Sequence, residues 1–164
     1  MALISKTRGI ALTATVAAGL SATTALAVPP PPGGTFTGTT NQPKAKYHKT
    51  KVVTDANGRV SEVSVGWRAP CRKKGVFWST ETKISGGSSG LPQTGEVFHQ
   101  AGSYTGNAGG GIKGRITISM NGKFADNDNV FGTWNAKVTV KNKKGKTIDK
   151  CKVTGIKWKA SRVG

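Results

Sequence analysis

The stretch VGWRAPCRKKGVFWS, Val65 to Ser79, holds two tryptophans, a phenylalanine, a cysteine and four basic residues. It can be read as a nucleic-acid surface, with rings to stack bases and cations to hold phosphates. It can equally be read as two strands of a β protein joined by a basic turn. Side-chain parity decides, because successive residues of a strand point to opposite faces. Trp67 is in register with Val63 and Val65, while Glu62, Ser64 and Arg68 share the other face. Trp78 is in register with Val76, Thr80, Thr82 and Ile84. Both indoles therefore turn towards a core. Arg72-Lys73-Lys74-Gly75 forms a polar turn, Pro70 ends regular pairing, and Phe77 falls on the outer face.

The same alternation runs through the rest of the chain. Thr35–Thr40 reads as an edge strand ahead of Pro43. Segments 46–54 and 59–67 flank Asp55-Ala56-Asn57-Gly58, whose Asn-Gly pair suits a tight hairpin turn with positive φ at both central residues. Gly86 to Gly95, GGSSGLPQTG, reads as a flexible loop, and 96–100 and 103–105 as weaker strands. In GIKGRITISMNGKF, Ile112, Ile116, Ile118 and Met120 share one side, and Asn121-Gly122 offers a second tight turn. A last hairpin pairs 130–141 with 148–160 across NKKGK. Seven to nine short strands with hairpin connections predict an all-β fold, a single antiparallel β-sandwich or barrel-like domain. GTFTG and GSYTG echo each other, as do WRA and WKA, but at different offsets, so no fixed repeat is present.

Residues 1–27 have the form of an export signal. Lys6 and Arg8 precede an uncharged run from Ile10 to Ala25, and Ala25-Leu26-Ala27 is a small-residue cleavage pattern. Thr and Ser dilute the run below what a membrane span of about 20 apolar residues needs. The expected protein is secreted, without a membrane span after cleavage. VPPPPGG, residues 28–34, reads as a Pro/Gly-rich linker, and 35–164 as one domain. Cys71 and Cys151 are the two cysteines, and in an oxidising compartment they are expected to pair.

The formal net charge is +18, and about +16 once Lys6 and Arg8 leave with the signal. Such a field attracts polyanions and anionic surfaces. In the last hairpin Ala136, Val138 and Val140 alternate with Lys137, Thr139 and Lys141. Cys151 and Val153 share one parity, and Ile156, Trp158 and Ala160 the other, so both sets face inward only if a bulge falls near Thr154-Gly155. Lys150, Lys152, Lys157 and Lys159 then join Lys137 and Lys141 on the outer face, with Lys143, Lys144 and Lys146 in the turn. These nine lysines are the expected polyanion-binding residues, on a face with no ring among the cations. Single-strand binders stack bases on rings, and base-edge readout favours Arg, Asn and Gln. Sequence-specific nucleic-acid recognition is therefore not expected, and salt-sensitive attraction to anionic polymers is. The simplest alternative is that the lysines only solvate the sheet and guard its edges.

Catalytic material is sparse, and no catalytic residue, metal site or cofactor is expected. His48 and His99 lie in no triad signature. Glu62, Glu81 and Glu96 could serve a secreted hydrolase only if two faced each other about 5–9 Å apart. ADNDN, 125–129, gathers oxygen ligands but lacks the rest of a calcium loop, and reads as an Asx turn. A third possibility is an inhibitor or toxin presenting the loop 86–95.

Gly34-Thr35-Phe36-Thr37-Gly38, Gly66-Trp67-Arg68-Ala69-Pro70-Cys71, and an ending in which Cys151 is followed by Trp158-Lys159-Ala160 and Arg162 together resemble a group of small exported actinobacterial proteins. The resemblance covers most of the chain after residue 27. It implies a β-sandwich with one disulfide, and carries no activity and no site residues.

Overall fold

Trp67 is fully buried beside Val63 and Val65, and Trp78 and Trp158 are buried as well, as parity requires. The structure, a computed structural model, describes residues 29–43 and 48–164; the export signal expected over 1–27 lies outside them. Nine strands follow one another: β1 Thr35–Thr40, β2 Lys49–Thr54, β3 Val60–Pro70, β4 Phe77–Ser85, β5 Gln93–Thr94, β6 Val97–Gly109, β7 Ile112–Phe124, β8 Asn129–Lys141 and β9 Thr147–Val163. They form one antiparallel sheet in the order β4-β3-β2-β1-β9-β8-β7-β6-β5. A sheet apolar on one face must bury that face. Of the two forms expected, this is the barrel-like one: the sheet curls upon itself as a half-barrel. Trp67 and Trp134 approach to 6.4 Å between ring centroids inside it, and Phe36, Phe98 and Phe124 fill the rest of its centre.

The curl brings β4 round towards β6 and β7, and side chains fill the seam. Trp78 lies over the small inward positions Gly106 and Gly114, where a Cβ would sit 3.3 and 2.6 Å from its ring. The Trp67 indole donates to Thr82 Oγ1 at 2.7 Å, and Thr82 in turn bonds to the Tyr104 hydroxyl. Burial raises the Tyr104 hydroxyl above its ordinary pKa, opposed by that hydrogen bond.

Three local expectations are corrected. β1 is not an edge strand, for it pairs with β2 on one side and β9 on the other. Gly38 makes this possible: a Cβ there would overlap the Lys159 carbonyl and lie 2.5 Å from Ala160 Cα. Asn121-Gly122 is not a turn but lies inside β7, because the Phe98 ring occupies the space that a side chain at Gly122 would need. The β2–β3 turn does form at Asp55–Gly58, but only Gly58 takes positive φ (+74°). Asp55 sets its shape, accepting from Asn57 N and Arg59 N at 2.9 Å through its side chain and from Gly58 N at 3.0 Å through its carbonyl.

The bulge at Thr154-Gly155 is present. Trp134 pairs with Ile156 and Ala136 with Val153, so the two residues between oppose Asn135 alone. Gly155 has φ +67°, and its N–H donates to Asn135 Oδ1 at 2.8 Å. The inserted residue lets Cys151 and the Ile156, Trp158, Ala160 set all face inward. The segment expected as a linker packs on the barrel end, with Pro30 and Pro31 buried and the Pro31 carbonyl accepting from Thr54 Oγ1 at 2.6 Å.

β1 and β2 are six residues each, whereas β3 has eleven and β9 seventeen. Past the ends of the short pair, β3 and β9 are joined directly. The Gln42 side chain takes the place of a strand, accepting from Arg68 N at 2.9 Å and donating to Arg68 O at 2.7 Å. Asn41 does the same for β9, donating from N to Lys157 O at 2.8 Å and accepting from Lys157 N at 3.0 Å. The Cys71–Cys151 disulfide then closes the junction, followed by a bond from Arg72 N to Lys150 O at 3.0 Å.

Candidate functional site

Strand direction separates the charges along the barrel. One end carries the turns after β3, β6 and β8, with Arg72, Lys73, Lys74, Lys143, Lys144 and Lys146. Its one carboxylate, Asp149, is taken up by backbone, accepting from the N–H groups of Arg72, Lys73 and Lys150 at 3.2, 3.4 and 2.7 Å. The opposite end carries Asp55, Glu96, Asp126 and Asp128. The molecule thus has a strongly basic end and a mixed one.

The outer face of β7, β8 and β9 extends the basic end down the barrel wall. Rows across it follow from register. Lys113 stands opposite Lys141; Arg115 opposite Thr139, which is opposite Lys150; and Thr117 opposite Lys137, which is opposite Lys152. Farther down, Thr133 is opposite Lys157, and Phe131 opposite Lys123 and Lys159. Successive outward rows are about 6.8 Å apart along the strands. Of the nine lysines expected to form the face, register brings Lys137, Lys150 and Lys152 together; Lys141, Lys143, Lys144 and Lys146 sit at the basic end, and Lys157 and Lys159 lie beyond the bulge. Lys113, Arg115, Lys123 and Arg72 belong to the same surface. The first two could have been read from the parity of β7, but strand neighbourhood could not.

Like charges directly opposite each other on a sheet are destabilising. Lys113–Lys141 and Lys137–Lys152 are two such pairs. The ion pairs among the described residues spare these two: Glu62 meets Lys83 at 2.7 Å and Lys51 at 3.6 Å, and at the far end of the face Glu96 meets Lys123 at 3.4 Å. The hydrogen bond from Lys83, with the positive charges of Lys83 and Lys51, holds the Glu62 carboxyl below the usual glutamate range. Acids thus neutralise β2–β4, and the central rows of the β7–β9 face keep their charge.

Beside the disulfide this face hollows into a groove of about 420 Å³ lined by Arg72, Lys137, Lys150 and Lys152, with Thr139 and the two half-cystines. The sulfur bridge and the bond from Arg72 N to Lys150 O hold the turn cation against the strand cations. Four basic residues, one from the β3–β4 turn and three from β8 and β9, thus line one recess.

One feature of the expected face is wrong. A ring does stand among the cations: Phe131 is 47% exposed, between Lys123 and Lys159 in register. Phe77, also exposed, carries the Arg68 guanidinium 3.4 Å above its ring.

Of the residues considered for catalysis, Glu81 is opposite Gly66, four positions along β3 from Glu62, a backbone offset of roughly 13 Å. Glu81 accepts from Ser64 Oγ, and Glu96 lies across the barrel beside Lys123. His99 is exposed on β6, whereas His48 is partly buried, its Nε2 without a hydrogen-bond partner among the described residues. The 125–129 segment is an Asx turn, Asp126 accepting from Asp128 N at 2.8 Å and from the Asn129 amide at 3.0 and 3.1 Å. Those bonds hold the Asp126 carboxyl below its ordinary value. The loop 86–95 is pinned to β3 by a bond from Leu91 N to Val60 O at 2.8 Å, with Leu91 buried. Among the described residues no group of three metal-ligating side chains occurs, and no helix is long and apolar enough to cross a membrane. In comparison with known proteins, no family, curated sequence or solved structure matches the chain.

Proposed function

We propose that this is a secreted, non-enzymatic β domain that binds anionic polymers of the cell envelope or its surroundings through the outer face of β7–β9 and the recess beside the disulfide. The single observation that carries this reading is the pair of unrelieved lysine–lysine oppositions, Lys137–Lys152 and Lys113–Lys141. Lysines that merely solvated a sheet would gain by alternating with acids, as β2–β4 do. A bound polyanion relieves the repulsion instead. The Cys71–Cys151 disulfide supports the secreted part of this reading, since such bonds persist in oxidising compartments.

The test is retention on an immobilised polyphosphate across a salt gradient. The wild type is expected to elute late, and affinity should fall steeply with salt as counterions are released. Lys137→Glu with Lys152→Glu should weaken binding at low salt by tenfold to about a hundredfold, at about 1 kcal/mol per basic group near an anionic surface. Reversing Lys51 and Lys83, which are already paired with Glu62, should do much less. Binding that ignored salt, or survived the first double reversal, would contradict the assignment.

A further inference from the structure

The exposed Phe131 ring borders a groove of about 520 Å³ on the outer side of β6–β9. Its floor is the glycine pair Gly122–Gly132, whose inner sides are covered by the Phe98 ring and by Trp158. The walls are Val97 and Phe131, both well exposed, facing Asn121 and Thr133. Lys123 and Lys157 rim the groove, and Lys159 stands beside Phe131 in the next strand. Nothing about folding requires an aromatic side chain here, because a ring half in water contributes little to the core. The combination is specific: one flat apolar platform, a smooth floor, amide and hydroxyl groups along one wall, and ammonium groups around the edge.

We infer that this groove binds a sugar ring of an acidic polysaccharide, the pyranose face lying on Phe131 and the carboxylates of neighbouring residues meeting Lys157 and Lys159, since Lys123 is already paired with Glu96. The inference rests on the polyanion reading above and chooses among its ligands. A polyphosphate has no apolar face and gains nothing from Phe131. A single-stranded nucleic acid can stack on a ring, but binds through successive platforms. The other phenylalanine exposed among the described residues, Phe77, lies on β4 under the Arg68 guanidinium, and the exposed His99 of β6 stands opposite Asn121. A saturated sugar acid, with apolar faces, hydroxylated edges and one negative charge per ring, matches all the groups present.

The experiment measures binding of three probes, an oligogalacturonate, an inorganic polyphosphate and a single-stranded oligonucleotide, to the wild type, Phe131→Ala and Phe131→Tyr at one salt concentration. Phe131 is on the surface, so the variants should fold; circular dichroism checks this. Oligogalacturonate affinity is expected to fall about tenfold in Phe131→Ala, the effect of removing one stacking platform, and to recover in Phe131→Tyr. Polyphosphate affinity should change less than about twofold, as Phe131 carries no charge. If oligogalacturonate and polyphosphate both bind and neither responds to Phe131→Ala, the groove assignment is overturned while polyanion binding stands. A loss confined to the oligonucleotide overturns it in favour of base stacking. If none of the probes binds the wild type, both readings fall.

Discussion

Replacement of Cys71 and Cys151 together by alanine is expected to lower the stability of the domain by about 4.5 kcal/mol. The bridge spans 80 residues, and closing a loop of that length removes chain entropy of this size from the unfolded state. Such a loss is a large part of the roughly 5–15 kcal/mol that separates folded from unfolded small domains. Its position adds a second consequence. β3 and β9 are not neighbours in the sheet; they meet only past the ends of β1 and β2, through Gln42, Asn41 and the disulfide. Without the sulfur bridge Arg72 is held by its N–H, which donates to the Lys150 carbonyl and the Asp149 carboxylate, and polyphosphate affinity should fall along with stability. Urea denaturation of the double variant checks the first effect. A change below about 1 kcal/mol would show that hydrogen bonding already closes this junction.

Trp134→Ala should cost about 3–5 kcal/mol, the usual range for emptying a large aromatic site in a packed core. Trp134 is fully buried at the centre of β8, 6.4 Å from Trp67 across the barrel. The two indoles differ in one respect that separates packing from hydrogen bonding. Trp67 Nε1 donates to Thr82, whereas Trp134 Nε1 has no hydrogen-bond partner among the described residues. Trp134→Phe therefore forfeits only volume. Trp67→Phe forfeits volume and a buried hydrogen bond, and should be the worse of the two by about 1 kcal/mol. Equal costs, or the reverse order, would mean that the Thr82–Tyr104 seam does not depend on the Trp67 indole.

Parity carried the reading of the fold. Trp67, Trp78, Cys151 and Trp158 point where alternation puts them, and the bulge at Thr154-Gly155 was legible because two inward sets of opposite parity require one extra residue between them. The role of a glycine is less legible. Asn121-Gly122 has the composition of a turn, but its glycine answers to the Phe98 ring of the neighbouring strand, a contact between distant residues that no local pattern displays. The position of β1 depends likewise on the close approach of Gly38 to β9 across more than a hundred residues of chain. The lysines of the candidate face were legible as outward residues. That Lys137 confronts Lys152, that Arg72 joins them, and that Phe131 stands beside Lys159 follow from register and closure, which are tertiary facts.

The most direct measurement is a ¹⁵N NMR titration with a short inorganic polyphosphate at low salt, following backbone amides by residue. Shifts are predicted to gather at Arg72, Lys137, Thr139, Lys150 and Lys152, and to collapse on addition of salt. Shifts gathered instead at the 55–59 and 125–129 turns, or an unchanged spectrum at saturating polyphosphate, would contradict the β7–β9 face as the binding surface.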